Sequence, residues 1–161
     1  MSKILIFTAT YNEKENIINL INKINEYSGN ADILIIDDNS PDGTGNLLKD
    51  FAKENNNLNV IIRDKKLGLD TAHKIAFKYA KENSYSSLIT MDADLSHDPS
   101  EIPKMISLLK INYFVIGSRY IEGGKSEMTI ARQLLSIYGN KLIKFILGIK
   151  CNEFTTSYRA F

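Results

Sequence analysis

Two aspartates, Asp92 and Asp94, stand at the end of an apolar run, Leu88-Ile89-Thr90-Met91, with only the small Ala93 between them. Carboxylates this close repel unless a cation or a proton relieves them. Residues i and i+2 of an extended segment project to one side, so both acids can offer oxygen to one hard divalent ion. Mg2+ or Mn2+ would keep waters and take further oxygens from a phosphate-bearing substrate. Paired acids also act as general acid and base in glycoside hydrolysis, but there they must flank the scissile bond. Two acids on one short segment suit a shared cation better. Downstream, His97 reads as a loop cap beside Pro99, and "DPSE" (98–101) as a turn entering a helix.

Further polar residues follow other apolar runs. Thr10 to Glu13 come after the first, Asp37 and Asp38 after the second, and Ser118 and Arg119 after the fifth. Asp38 is the expected ligand contact and Asp37 a structural turn residue ahead of "NSPDG". A guanidinium in an acid-rich cleft suits bidentate phosphate binding, which marks Arg119. His73 falls on a helix and reads as structural.

The elements that must hold these residues alternate regularly. Strands are expected at Ile4–Phe7, "DILIIDD" (32–38), "LNVIIRD" (58–64), "SSLITMDAD" (86–94) and "YFVIGSR" (113–119). Between them, "ENIINLINKINEY" (15–27), the stretch near Leu47–Ala52, "TAHKIAFKYAKEN" (71–83) and "SEIPKMISLLK" (100–110) carry helical periodicity. The strands are unbroken apolar runs, as when helices cover both faces of a sheet. The expected fold is α/β: three layers, with a mostly parallel open sheet. Ligands of such sheets bind outside the carboxyl ends of the strands, where all the acids converge.

The 161 residues suit a single domain over 1–161. Twenty basic and nineteen acidic side chains leave a net charge of +1, which argues for no general nucleic-acid affinity. One cysteine, Cys151, excludes an internal disulfide framework. No stretch approaches the length of a membrane span. A phospho-acceptor receiver domain also has acids at strand ends, but it should centre on an aspartate after strand three and a lysine after strand five. Here those places hold Arg63-Asp64 and Arg119.

Five motifs occur in order: "TYNEKENI" (10–17), "IDDNSPDGT" (36–44), "KLGLDTAH" (66–73), "MDADLSHDP" (91–99) and "GSRYIEGG" (117–124). Together they resemble the inverting family-2 glycosyltransferases with the nucleotide-diphospho-sugar (GT-A) fold, and more narrowly the polyprenyl (dolichyl) phosphate mannose synthases. The resemblance implies a nucleotide-sugar donor, a polyprenyl phosphate acceptor, Mg2+ or Mn2+, and a peripheral position at the cytosolic face of a membrane. It implies mannose transfer from GDP-mannose, with a UDP-sugar donor such as UDP-glucose, or a nucleotide-binding fragment without turnover, as alternatives. By the same resemblance, Ala9, Tyr11, Glu13, Asp38, Lys66 and the Asp92-Ala93-Asp94 run would surround the donor. Asp92 and Asp94 would hold the cation, with Ser96 as an additional oxygen. Arg119 would contact phosphate, either the donor's or the acceptor's, and Arg132 and Arg159 would contact acceptor phosphate.

The chain departs from the family at several points. Ala9 stands where proline is usual, and Asp70 where glycine is common. The family's Asp-x-Thr-Ser-Gly-Phe-Arg run is here "EFTTSYR" (153–159), which keeps Arg159 but has Glu153, Thr156 and Ser157 as replacements. The family continues past the position of Phe161, so a C-terminally truncated catalytic domain is expected. The stretch 129–150 admits two readings. One is a helix packed on the sheet; the other is an amphipathic helix at a membrane surface, with Arg132, Lys141 and Lys144 toward headgroups.

Overall fold

A computed structural model describes residues 3–121, 129–148, 151 and 153–161. The strands are β1 (Ile4–Thr10), β2 (Asp32–Asp37), β3 (Leu58–Ile62), β4 (Ser87–Thr90), β5 (Val115–Ile116) and β6 (Arg159–Ala160). The helices are α1 (Ile17–Ser28), α2 (Thr44–Ala52), α3 (Leu69–Glu82), α4 (Ile102–Leu109) and α5 (Ile130–Leu147). One sheet contains all six strands in the order β3-β2-β1-β4-β6-β5. β1 to β4 run parallel, whereas β6 is antiparallel to both of its neighbours.

Alternation along the strands divides the core into two layers. Ile33 and Ile35 face one side with Ile6 and Ile89, against Ile17, Leu20, Ile21 and Ile24 of α1, Leu48 of α2, and Ile102 and Met105 of α4. Leu34 and Ile36 face the other side with Leu5, Phe7 and Leu88, against Ala72, Ala76 and Ala80 of α3. The strands are apolar on both faces because both faces are covered, as the unbroken runs imply. The chain crosses from β1 to β2 on one side and returns to β4 on the other, so β1 and β4 mark the reversal in strand order. Their carboxyl ends open at the usual place for a ligand.

Three strand expectations need correction. β4 stops at Thr90, so Met91 to Asp94 lie beyond the ladder and the two acids sit in a turn, not on a continuing strand. The turn is set by Leu95, whose φ is 64°, and by the Ser96 N–H donating to Asp94 Oδ1 at 3.0 Å. β5 is only two residues long. β6 arises from a run read as a binding motif and slides between β4 and β5, pairing Ala160 with both Ile89 and Val115. Two residues carry no periodicity, and antiparallel pairing with distant partners leaves no local mark.

Gly117 continues this junction, its N–H donating to the Tyr158 carbonyl at 2.9 Å. A Cβ at Gly117 would lie 2.6 Å from the ring of Tyr158, which is buried. Gly117→Ala is expected to destabilise the fold by about 1–3 kcal/mol through overpacking. A lower denaturation midpoint with unchanged slope would show it.

Candidate functional site: the carboxyl edge of the sheet

The end of β1 is fastened to the loop after β2 by side chains that accept from its main chain. The N–H groups of Asn12, Glu13 and Lys14 donate in turn to Ser40 Oγ (3.0 Å), Thr44 Oγ1 (3.1 Å) and Asp42 Oδ2 (3.1 Å). Asp37 is buried and accepts from Thr10 Oγ1 (2.8 Å) and from the N–H (2.9 Å) and hydroxyl (2.6 Å) of Ser40. Asp37 therefore holds the turn, as expected from its setting. Glu13 accepts from the Asn16 side chain at 3.0 Å.

Asp38 is also buried. Its Oδ1 meets the guanidinium of Arg63, and its Oδ2 accepts from the N–H groups of Leu67 and Gly68, each at 3.3 Å. Arg63 goes on to donate to Thr71 Oγ1 (2.5 Å) and the Gly68 carbonyl (3.1 Å). The pair thus ties β2, the end of β3 and the start of α3 into one wall. On its rim the Lys66 ammonium lies 3.7 Å from the centroid of the Tyr11 ring, in cation–π contact. The structure brings Tyr11, Lys66 and Asp38 to one end of the edge, with Ala9 half-buried just inside it.

The other end is built on Asp92 and Asp94. Asp92 is half-buried, and its Oδ1 accepts from the Ser157 hydroxyl. Its main-chain N–H donates to His97 Nδ1 at 2.9 Å. Burial pushes the His97 imidazole below its ordinary pKa, against the pull of Asp92 and Asp94, so the ring is neutral at pH 7. Ala93 is buried, and Asp94 and Ser96 are exposed at the mouth. Among the described residues neither Asp92 nor Asp94 pairs with a lysine or arginine. No group of three or more His, Cys, Asp or Glu side chains there is placed to hold a metal ion. Two carboxylates fit a hard cation whose other positions are filled by water and substrate phosphate oxygens.

Arg119 lies where expected, after β5, but its fork is engaged. Nε and Nη2 donate to the two carboxylate oxygens of Glu153 at 3.2 and 3.1 Å, and Nη2 reaches Thr155 Oγ1 at 3.3 Å. Glu153 is 1% exposed and also accepts from Thr155 and, at 3.4 Å, from the buried Asn140 amide of α5. Burial alone would raise this carboxyl, but Arg119 and Thr155 outweigh it and hold the group below its ordinary value. Arg159 donates to the carbonyls of Thr156 (2.8 Å) and Phe154 (2.9 Å), shaping the same segment. A cleft of about 780 Å3 opens here, lined by Asp70, His73, Asp92, Ser157, Arg159 and Phe161 among others. Burial and then the Arg159 charge push the His73 imidazole down. Asp70 is exposed, 4.0 Å from Lys74. The side chain of Arg132 lies outside the described residues.

The glycosyl transferase family 2 model matches residues 5–161 of this chain. The chain belongs to that family. It is 33% identical over 160 residues to the undecaprenyl-phosphate mannosyltransferase of Micrococcus luteus, covering 99% of this chain and 66% of that protein. It is 35% identical to the polyprenol monophosphomannose synthase of Mycolicibacterium smegmatis, covering 98% of this chain and 60% of the relative. The chain therefore spans about two thirds or less of the length of these relatives. Among solved structures, glucosyl-3-phosphoglycerate synthase from Mycobacterium tuberculosis, crystallised with Mn2+, UDP and phosphoglyceric acid, has the same fold. Its TM-score is 0.61 at 18% identity, over 99% of this chain and 55% of that one.

Within this family-2 chain the motif residues gather at one edge, but several residues that shape the site carried no signal as such. Arg63 read as the end of a strand, yet it neutralises Asp38. Glu153 counted as a departure from the family pattern, yet it anchors Arg119. Asn140 carried no signal in the sequence, yet its Oδ1 accepts from the Phe154 N–H at 2.8 Å. A buried carboxylate needs a partner, so Asp38 at the end of an apolar run implied a cation, while which cation supplies it is set by the topology.

Glu153→Gln should lower stability by about 2–3 kcal/mol at pH 7, because a charged hydrogen-bonded pair is broken. The folded carboxyl is held below its ordinary value of 4.5. Its contribution is therefore present above that pH and lost as pH falls through the folded value. Melting curves should show the gap between wild type and variant narrowing below about pH 4.5. A gap independent of pH would remove the ionic account.

Proposed function

We propose that this protein transfers mannose from GDP-mannose to a polyprenyl phosphate with inversion, using a divalent cation held by Asp92 and Asp94. The observation that supports this reading is the pair of acids at the strand-order reversal, paired with no lysine or arginine among the described residues, beside a cleft that also holds Arg159. The names of the relatives supply the sugar and the acceptor class. Tyr11, Glu13, Lys66 and the wall behind Asp38 would receive the nucleotide. Asp38 acts through the loop at Leu67 and Gly68, since its carboxylate is engaged by Arg63.

Mg2+ or Mn2+, when bound, would neutralise the diphosphate that departs as the sugar bond breaks. Asp92 and Asp94 supply the oxygens that hold it, with Ser96 at the rim. Arg119 and Arg159 place positive charge on the acceptor side, and Arg119 would share its guanidinium between Glu153 and the incoming phosphate. That phosphate has a second pKa near ~6 and is mostly ionised at pH 7, so no protein base need deprotonate it. Its oxygen attacks the anomeric carbon in line, opposite the leaving diphosphate.

The acceptor's lipid tail gives α5 a role. No helix among the described residues is long and apolar enough to cross a membrane. Yet Leu135, Tyr138, Leu142 and Phe145 form one stripe of α5 and are exposed, Phe145 by 85%. Lys141 and Lys144 flank it, while Asn140 on the opposite side is buried. A helix with its polar stripe inward and its apolar stripe outward suits the interfacial layer of a bilayer.

Two measurements test the reading. Asp94→Ala should cut transfer from labelled GDP-mannose to a short-chain polyprenyl phosphate by about a hundredfold or more, and GDP with Mn2+ should raise the melting temperature more than UDP does. Undiminished transfer in Asp94→Ala would remove the cation site, and preference for UDP would replace the donor. Leu135→Ser with Phe145→Ser should weaken co-sedimentation with phospholipid vesicles by at least about tenfold. Unchanged sedimentation would sink the interfacial role of α5.

A further inference from the structure

We propose that His97 is a positioning residue for Asp92, fixing the main chain and carboxylate of that residue toward the cleft from a seat made by Tyr158 and Thr156. The proposal rests on the reading of Asp92 as a cation ligand and adds a residue that does not itself touch the cation.

The need arises where β4 ends. The Met91 N–H still reaches the Phe7 carbonyl at 3.0 Å, but the next amide, that of Asp92, has left the ladder. A part-buried amide without an acceptor is costly. The left-handed turn at Leu95 folds the chain back and brings His97 Nδ1 to that amide at 2.9 Å. An accepting Nδ1 carries no proton, so the hydrogen is on Nε2. Nε2 lies 3.4 Å from Thr156 Oγ1 and 3.6 Å from Asp92 Oδ2. One ring therefore faces both the main chain and the carboxylate of Asp92.

The ring is itself held. It stacks on Tyr158 with centroids 4.9 Å apart and planes 12° from parallel. The Tyr158 hydroxyl donates to the Asp98 carbonyl at 2.9 Å, closing the loop that carries His97. Ser157, between these two supports, donates to the other carboxylate oxygen, Oδ1. The segment 156–158 thus holds Asp92 at two points, directly at Oδ1 through Ser157 and at its main-chain N–H through His97. Groups that orient a metal-binding carboxylate in this way set the affinity of the site.

The test is Mn2+ binding by the protein in the presence of GDP, read from loss of the free Mn2+ paramagnetic-resonance signal, with melting curves to establish that each variant is folded. His97→Phe keeps a ring on Tyr158 and removes both nitrogens. It should raise the Mn2+ dissociation constant about tenfold or more. His97→Asn offers an oxygen near the position of Nδ1 and should recover most of the affinity. His97→Ala should resemble the Phe variant; should it not fold, Phe and Asn carry the comparison. A folded Phe variant that binds Mn2+ as tightly as wild type overturns the proposal, as does an Asn variant no better than Phe. Asp92→Ala separates the two levels. If it abolishes binding while His97→Phe does not, only the positioning role fails; if it leaves binding intact, the cation assignment fails and the proposal falls with it.

Discussion

The insertion of β6 between β4 and β5 is the constraint on which the candidate site depends. The ladder itself is short, pairing Arg159 with Thr90 and Ile116, and Ala160 with Ile89 and Val115. It nevertheless fixes where the preceding residues arrive. Ser157 meets Asp92, Tyr158 lies under His97, and Glu153 reaches Arg119. Each such hydrogen bond contributes only about 1 kcal/mol net. Their value lies in register, because β4 is buried and a one-residue slip would turn every one of these side chains to the other face.

Charge is distributed unevenly along this edge. Asp38 is neutralised by Arg63 and Glu153 by Arg119, both in low-exposure settings where an unpaired carboxylate would be costly. Asp37 is satisfied by hydroxyls and an amide. The Asp92 carboxylate accepts from one hydroxyl while its main-chain N–H donates to a neutral imidazole, and the Asp94 carboxylate accepts from one amide. Among the described residues, negative charge is thus compensated by arginine at Asp38 and Glu153 and not at Asp92 and Asp94. In the function proposed above, a divalent cation would balance that remainder and the diphosphate of the donor would complete its coordination.

The fifth helix inverts the usual order of a surface helix. Its inward contacts are polar, through Asn140 to Glu153 and Phe154, while its large apolar side chains are exposed. The same residue that docks the helix also supports the Arg119–Glu153 pair.

The alternating apolar runs and amphipathic stretches determined the three-layer sheet, because burial on both faces needs continuous apolar strands and helices with one apolar side. Acids after those strands pointed to one candidate site, since the carboxyl ends of the parallel strands β1 to β4 lie at one edge. Only the tertiary structure decided which acids remain available. Arg63 lies 25 residues from Asp38, and Glu153 34 residues from Arg119. Pairings at that distance depend on topology, not on local propensity. The strand at Arg159–Ala160 was invisible for the same reason: two residues have no period, and their conformation is imposed by neighbours that only the folded chain brings beside them.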